Sequence, residues 1–156
     1  MKSILFVCLG NICRSPMAEG VFNKILLREK MKQSFQVDSA GLISYHQGSP
    51  PDSRMRKHAA QRNYFLSHLS RPFTVSDFEK FDLIIGMDNQ NIRGLKNMAR
   101  TQEHLAKIRK MTDFCTVYDA VEVPDPYYGG EAGFEYVIDL LEDACEGLFA
   151  SLKENR

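Results

Sequence analysis

The sequence has no excess of charge: 20 lysines and arginines balance 20 aspartates and glutamates over 156 residues. Nucleic-acid binders usually carry a basic surplus, so that class has no support. No apolar run approaches the ~20 residues that span a bilayer, so no membrane insertion is expected. The opening segment, Lys2 before Ile4-Leu5-Phe6-Val7, breaks at Gly10-Asn11 and Arg14. That is too short for a signal peptide, which needs an apolar stretch of ~7–15 residues and a small-residue cleavage site. A buried strand in a cytoplasmic protein is the expectation. Cysteine is sparse: Cys8, Cys13, Cys115 and Cys145 form no CxxC pair. A disulfide framework belongs to short secreted chains. Cys115 and Cys145, in apolar surroundings, read as small core residues. The four histidines (His46, His58, His68 and His104) show no ligand spacing, so no metal is expected. Neither GxxxxGK[ST] nor GxGxxG occurs, which leaves nucleotide binding and a bound cofactor without a motif. Repeats, low-complexity segments and linkers are absent too, so residues 1–156 read as one domain.

What is present alternates. Ser3–Val7 and Phe35–Ser39 read as strands, and Leu83-Ile84-Ile85 as a third. Ile108 to Cys115 carries a weaker strand pattern. Val21, Phe22, Ile25 and Leu26 recur at helical spacing in a segment from Ala18 to Met31. Ser53 to Tyr64 also looks helical. "SDFE" at 76 to 79 has capping-box spacing for a short helix. Asp88 or Asn89 can cap a helix running to about Ala99. The last helix spans about Glu131 to Lys153, with Phe134, Val137, Ile138, Leu141, Leu148 and Leu152 on its apolar face. Two loops separate these elements, "SYHQGSPPD" at 44 to 52 and "VPDPYYGG" at 123 to 130. The order implies an α/β fold: a four-stranded parallel sheet between layers of helices. Such sheets bind ligands at the carboxyl ends of their strands, which is where Cys8 falls.

The stretch "FVCLGNICRSP", residues 6 to 16, carries the chemistry. A strand precedes it and a helix follows. Gly10 and Asn11 tolerate left-handed backbone, which lets successive N–H groups turn inward as an anion nest. Pro16 suits the first turn of a helix, whose positive end faces the same point. Arg14 can grip two phosphate oxygens at once. The loop is built for a tetrahedral oxyanion, and Cys8 stands at its base. A thiol there ionises readily, and Ser15 can add a hydroxyl donor. The sulfur can attack phosphorus in line and form a phosphocysteine, with Arg14 and the inward N–H groups holding the equatorial oxygens.

"CLGNICRSP" resembles the active-site signature of the low-molecular-weight protein tyrosine phosphatases. "DSAG" at 38 to 41, "FDLIIGMD" at 81 to 88 and "DPYYGG" at 125 to 130 follow in that family's order and spacing. The resemblance implies that Cys8 is the nucleophile, Arg14 the phosphate ligand and Asp125 the general acid. It implies that Leu9, Gly10, Asn11, Ile12, Cys13 and Ser15 form the substrate loop, with Ser39 joining Asn11 in a supporting network. Tyr45, Tyr127 and Tyr128 become aromatic walls suited to a phenyl ring. Phosphotyrosine-containing proteins become the partners, with a tyrosine kinase acting on Tyr127 or Tyr128. A monomer or weak dimer is expected. Cys13 is implied to trap an oxidised Cys8 as a disulfide. Pro124 and Pro126 stiffen the segment around Asp125, and an acidic, bell-shaped rate profile follows from a carboxyl donor.

Three alternatives share some of these features. Arsenate reductases of this fold need two more cysteines after the third strand, and "GMDNQNIRGLKNM" has none. Protein-arginine phosphatases tend to carry threonine where this chain has Ile12. A phosphate-binding module without turnover would lack Cys8 or Asp125. Leu42 and Tyr45 depart from the family's commoner threonine and tryptophan.

Overall fold

The computed structural model describes residues 1–127 and 129–154. Strands β1 (Lys2–Cys8), β2 (Phe35–Gly41), β3 (Leu83–Gly86) and β4 (Ile108–Lys110) make one parallel sheet in the order β2-β1-β3-β4. The helices are α1 (Arg14–Arg28), α2 (Ser53–Gln61), α3 (Asp77–Lys80), α4 (Asn89–Met98), α5 (Gln102–Lys107) and α6 (Glu131–Glu154). β1 is buried from Ser3 to Cys8, as its nearly unbroken apolar run requires of a strand covered on both faces. Side chains alternate across it. Ile4, Phe6 and Cys8 pack with Met17 and Phe22 of α1 and with Val137, Leu141 and Leu148 of α6. Leu5 and Val7 pack on the other side with Phe78 and Leu95. The expected three-layer α/β/α architecture is therefore observed. Each fully buried aromatic such as Phe22 contributes roughly 1.5–3 kcal/mol of transfer free energy.

Several boundaries differ from the sequence expectations, each for a local reason. Helix α1 starts at Arg14, not Ala18, because Pro16 needs no N–H in the first turn. It stops at Arg28, since Lys30 takes φ 58°. Asn63, at φ 67°, stops α2 before Tyr64. The fourth strand is only Ile108–Lys110, and a 3-10 turn, Met111–Phe114, follows. The short, polar α5 gave no hydrophobic period; Thr101 Oγ1 caps it by accepting His104 N–H at 3.0 Å. At α3 the capping box does not form. Ser76 makes no cap bond, and Asp77 Oδ2 instead accepts the Thr74 N–H at 2.8 Å. Cys145 is fully buried, whereas Cys115 is only partly so. Helix α6 passes so close to the 3-10 turn that a Cβ on Gly147 would lie 1.9 Å from the Phe114 carbonyl oxygen. Among the described residues no helix is long and apolar enough to cross a membrane.

Candidate active site

The carboxyl ends of the strands meet at one edge. Cys8 ends β1 opposite Gly41 of β2, and Val7 stands opposite Gly86 of β3. The loop from Leu9 to Cys13 folds over Gly41, where a Cβ would sit 3.0 Å from both Leu9 O and Asn11 Cβ. A side chain there would press on the loop, and glycine leaves it room.

The loop is held by its carbonyls. Cys8 O accepts Leu42 N–H at 3.0 Å, and Leu9 O accepts Ile43 N–H at 3.1 Å. Gly10 O accepts the Ser70 hydroxyl at 3.1 Å. Ile12 O accepts Asp52 N–H at 2.8 Å, and Cys13 O accepts Met17 N–H at 3.2 Å. Across a planar trans peptide the following N–H points away from the carbonyl. Carbonyls drawn into the body therefore turn the N–H groups of Leu9, Gly10, Asn11, Cys13 and Arg14 toward the loop's centre. Asn11 N–H reaches Cys8 Sγ at 3.3 Å. Of the two residues expected to supply left-handed backbone, only Asn11 does so, at φ 58°.

A buried polar chain supports this shape. Asn11 Nδ2 donates to Ser15 Oγ at 2.7 Å and to Ser39 Oγ at 3.1 Å. Ser15 Oγ thus accepts from Asn11 and lies within hydrogen-bond reach of both Cys8 Sγ, at 3.1 Å, and Ala40 O, at 3.5 Å. Ser39 Oγ donates to Glu19 Oε1 at 2.7 Å. Asn11 Oδ1 accepts from Arg71 N at 3.0 Å, so His68 Nε2, at 2.9 Å, is a donor to it as well. His68 Nδ1 then faces Glu19 and Asp38 carboxylates at 3.4 Å each. Burial, reinforced by Asp38, pushes the Glu19 carboxyl up to about 7. Burial lowers His68 and outweighs Asp38. Glu19 therefore keeps its proton toward neutrality and His68 stays uncharged there.

Arg14 is buried beside the loop. Its Nη1 donates to Asp88 Oδ2 at 2.6 Å and to Val123 O at 3.0 Å, and its Nη2 lies 3.7 Å from Asp125 Oδ2. Burial alone would lower its proton affinity, but Cys8, Asp88 and Asp125 together raise it, so the guanidinium stays charged. Asp88 also caps α4, accepting Asn91 N–H at 2.7 Å, as the sequence suggested. Asp125 stands at the rim, where its Oδ1 accepts Tyr127 N–H at 2.9 Å.

These groups surround a cavity of about 300 Å³ lined by Cys8, Leu9, Gly10, Ile12, Cys13 and Arg14 below, and by Ile43, Tyr45, His46, Asp125 and Tyr127 above. A larger hollow of about 690 Å³ opens near Met1, Lys2 and Gln33 and has neither cysteine nor arginine in its lining.

The family model for low molecular weight phosphotyrosine protein phosphatase matches residues 3–156. The chain belongs to that family. Membership makes it a protein-tyrosine phosphatase, a phosphoric monoester hydrolase that works through a cysteine. The low molecular weight protein-tyrosine-phosphatase YfkJ of Bacillus subtilis is 38% identical, over 100% of this chain and 99% of its own. A crystal structure of a protein tyrosine phosphatase from Entamoeba histolytica, with Hepes in the active site, superposes with a TM-score of 0.97 at 50% identity, covering 99% of both chains. A Drosophila arginine phosphatase superposes at 0.90 with 33% identity, covering 98% of both.

In this phosphatase most of the residues singled out from the sequence converge on the cavity. Asn11 and Ser15 do not line it: their side chains are buried behind the loop, where they brace Cys8. Ser39 sits in that same chain. Tyr45 reaches the rim but is 84% exposed, its ring edge-on to His46 at 4.8 Å. Tyr128 lies outside the described residues. The thiol of Cys13 is pushed well above its usual value by burial first, then by Asp52 and Cys8, so it lines the cavity as a neutral group. Sequence reasoning passed over Ile43 and Glu19, read His46 beside the wall and His68 as surface or hydrogen-bonded residues, and favoured a cap for Asp88 over a place in the site. Asp88 follows β3 at the same sheet edge as Cys8, and that position was a signal for its second role.

Proposed function

We propose that this phosphatase, acting as a single domain, hydrolyses phosphotyrosine in proteins, and small aryl phosphates, through the following roles. Cys8 attacks phosphorus as the thiolate. The S–P bond forms as the aryl P–O bond breaks, and Asp125 gives its proton to the leaving phenolate. Water then attacks the phosphocysteine, gives its proton to Asp125, and inorganic phosphate leaves with Cys8 restored. Arg14 and the inward N–H groups hold the equatorial oxygens throughout.

The observation that carries this reading is the loop itself: its carbonyls are tied outward around a sulfur that already accepts one of its N–H groups. Ile12, Ile43, Tyr45 and Tyr127 give the cavity an apolar and aromatic wall suited to a phenyl ring. The likeness to an arginine phosphatase makes phosphoarginine the second reading, and the apolar Ile12 in the cavity wall favours the aryl ring over a guanidinium.

Four unbonded cysteines suit a reducing compartment, and we place the chain in the cytoplasm, as a monomer or weak dimer. Tyr127 at the rim is the residue we offer as the target of a tyrosine kinase, together with Tyr128. Hydrolysis of p-nitrophenyl phosphate tests the assignment. Wild type should be active and blocked by vanadate, and Cys8→Ser should be inactive. Turnover by Cys8→Ser would remove the sulfur from the mechanism. A phosphoarginine peptide cleaved faster than a phosphotyrosine peptide would promote the second reading.

A further inference from the structure

The segment that delivers Asp125 is tethered at Val121, Glu122 and Val123. Val121 O accepts the Thr112 hydroxyl at 2.8 Å. Val123 N–H donates to Met87 O at 2.9 Å, and Val123 O accepts from Arg14 Nη1 at 3.0 Å. Between them stands Glu122. Its Oε2 accepts the backbone N–H of Asn89, the first residue of α4, at 2.6 Å. That N–H is one of the donors a helix leaves unpaired at its start, and the helix dipole favours an anion there. Asp88, the residue before it, caps the same helix and holds Arg14. The start of α4 thus anchors two things at once: the guanidinium through Asp88, and the Asp125 segment through Glu122. Met87 N–H donates to Asn91 Oδ1 at 3.1 Å, which ties the end of β3 into the same knot.

We infer that Glu122 is a positioning residue for proton donation: its bond to Asn89 N–H fixes where Asp125 stands relative to Arg14 and the leaving-group oxygen. The inference rests on Asp125 as the general acid. Glu122 does not line the cavity around Cys8; it lines the neighbouring hollow behind Asp125. Its loss should therefore slow only the part of the reaction that needs a delivered proton. Leaving groups that depart as stable anions need no proton, and phenolate needs one badly.

Two variants remove the same bond from opposite ends. Glu122→Ala deletes the acceptor. Asn89→Pro deletes the donor at the first helical position, where proline is favoured, and the extended backbone of Asp88 before it accommodates a proline. The measurement is kcat/KM across aryl phosphates from 2,4-dinitrophenyl to phenyl phosphate, with inorganic phosphate inhibition alongside. Each variant should lose about tenfold on phenyl phosphate and less than about twofold on the dinitrophenyl ester. Phosphate inhibition should stay within about twofold. The double variant should lose no more than either single one, and Glu122→Gln, which keeps an acceptor oxygen, should recover most of the loss. An equal loss on all esters, or none, or weakened phosphate binding, overturns the inference. Asp125→Ala, run in parallel, separates the two readings. If it leaves the leaving-group dependence unchanged, the assignment of Asp125 fails. If it steepens that dependence while the Glu122 and Asn89 variants do not, only the role of Glu122 fails.

Discussion

Changing Asp88 to asparagine and to alanine separates two jobs that one carboxylate performs. It caps α4 through Oδ1 and holds Arg14 through Oδ2. Asparagine caps a helix about as well as aspartate, whereas alanine costs about 1 kcal/mol at that position. A hydrogen bond to a charged group contributes roughly 1.5–3 kcal/mol. The Arg14 side chain is 3% exposed and that of Asp88 17%, so water screens the pair little. Val123 O still holds Nη1 at 3.0 Å in either variant, which favours the lower end of that range. Asp88→Asn should therefore lose about 1.5 kcal/mol of stability in urea unfolding, and Asp88→Ala about 1 kcal/mol more. With its tether weakened, the guanidinium can swing toward Asp125, 3.7 Å from Nη2. Inorganic phosphate should then inhibit about tenfold less well in both variants, since an oriented fork is what a phosphate needs. Removing a negative charge from the cavity's edge works in the other direction. Phosphate bound by Asp88→Asn as tightly as by wild type, or more tightly, would show that Asp88 competes with substrate and does not aim Arg14.

Three further expectations follow from the packing and the pKa shifts. Glu19, raised to about 7 against a usual 4.5, contributes stability that is complete below about 4.5 and is lost as pH rises through about 7, up to ~3 kcal/mol over the window. Glu19→Gln should flatten that fall in urea titrations between pH 5 and 8; the lowered His68 works in the opposite direction, so an unaltered slope counts against Glu19. Gly147→Ala would ordinarily gain up to about 1 kcal/mol of helix propensity, but its Cβ meets the Phe114 carbonyl oxygen. A loss of about 3 kcal/mol is expected, and a rise in Tm would mean that α6 does not press on the 3-10 turn. Cys13→Ser should turn peroxide inactivation from reversible by dithiothreitol to permanent, and equal recovery of both proteins would remove Cys13 from protection.

How far the site could be read in advance depended on how far apart its partners lie in the chain. Cys8, Gly10, Asn11, Arg14, Ser15 and Pro16 fall within one strand–loop–helix unit. Local rules about backbone freedom, helix ends and anion nests act inside such a unit, so its chemistry was legible before any fold was known. The sheet was legible for a related reason: unbroken apolar runs mark strands buried on both faces, and β1 and β3 are of that kind. The fourth strand was legible only in outline, within 108–115, and the short α5 was not, because polar segments of that length carry no period. Beyond the Asn11–Ser39 link that the resemblance implied, the bracing of the loop was illegible for a stricter reason. Arg14 meets Asp88 across 74 residues, Val123 across 109, and Asn11 meets His68 across 57. No spacing rule connects such pairs, since only the order of strands in the sheet brings their loops to one edge. Donors likewise far along the chain, and not the signature loop alone, turn the peptide carbonyls outward. A short peptide of the signature would keep the cysteine and the arginine but lack the Leu42, Ile43, Asp52 and Ser70 donors that pull those carbonyls away. Its N–H groups would have no reason to face the sulfur. The nucleophile is local in the sequence, while the cradle around it is a property of the whole fold.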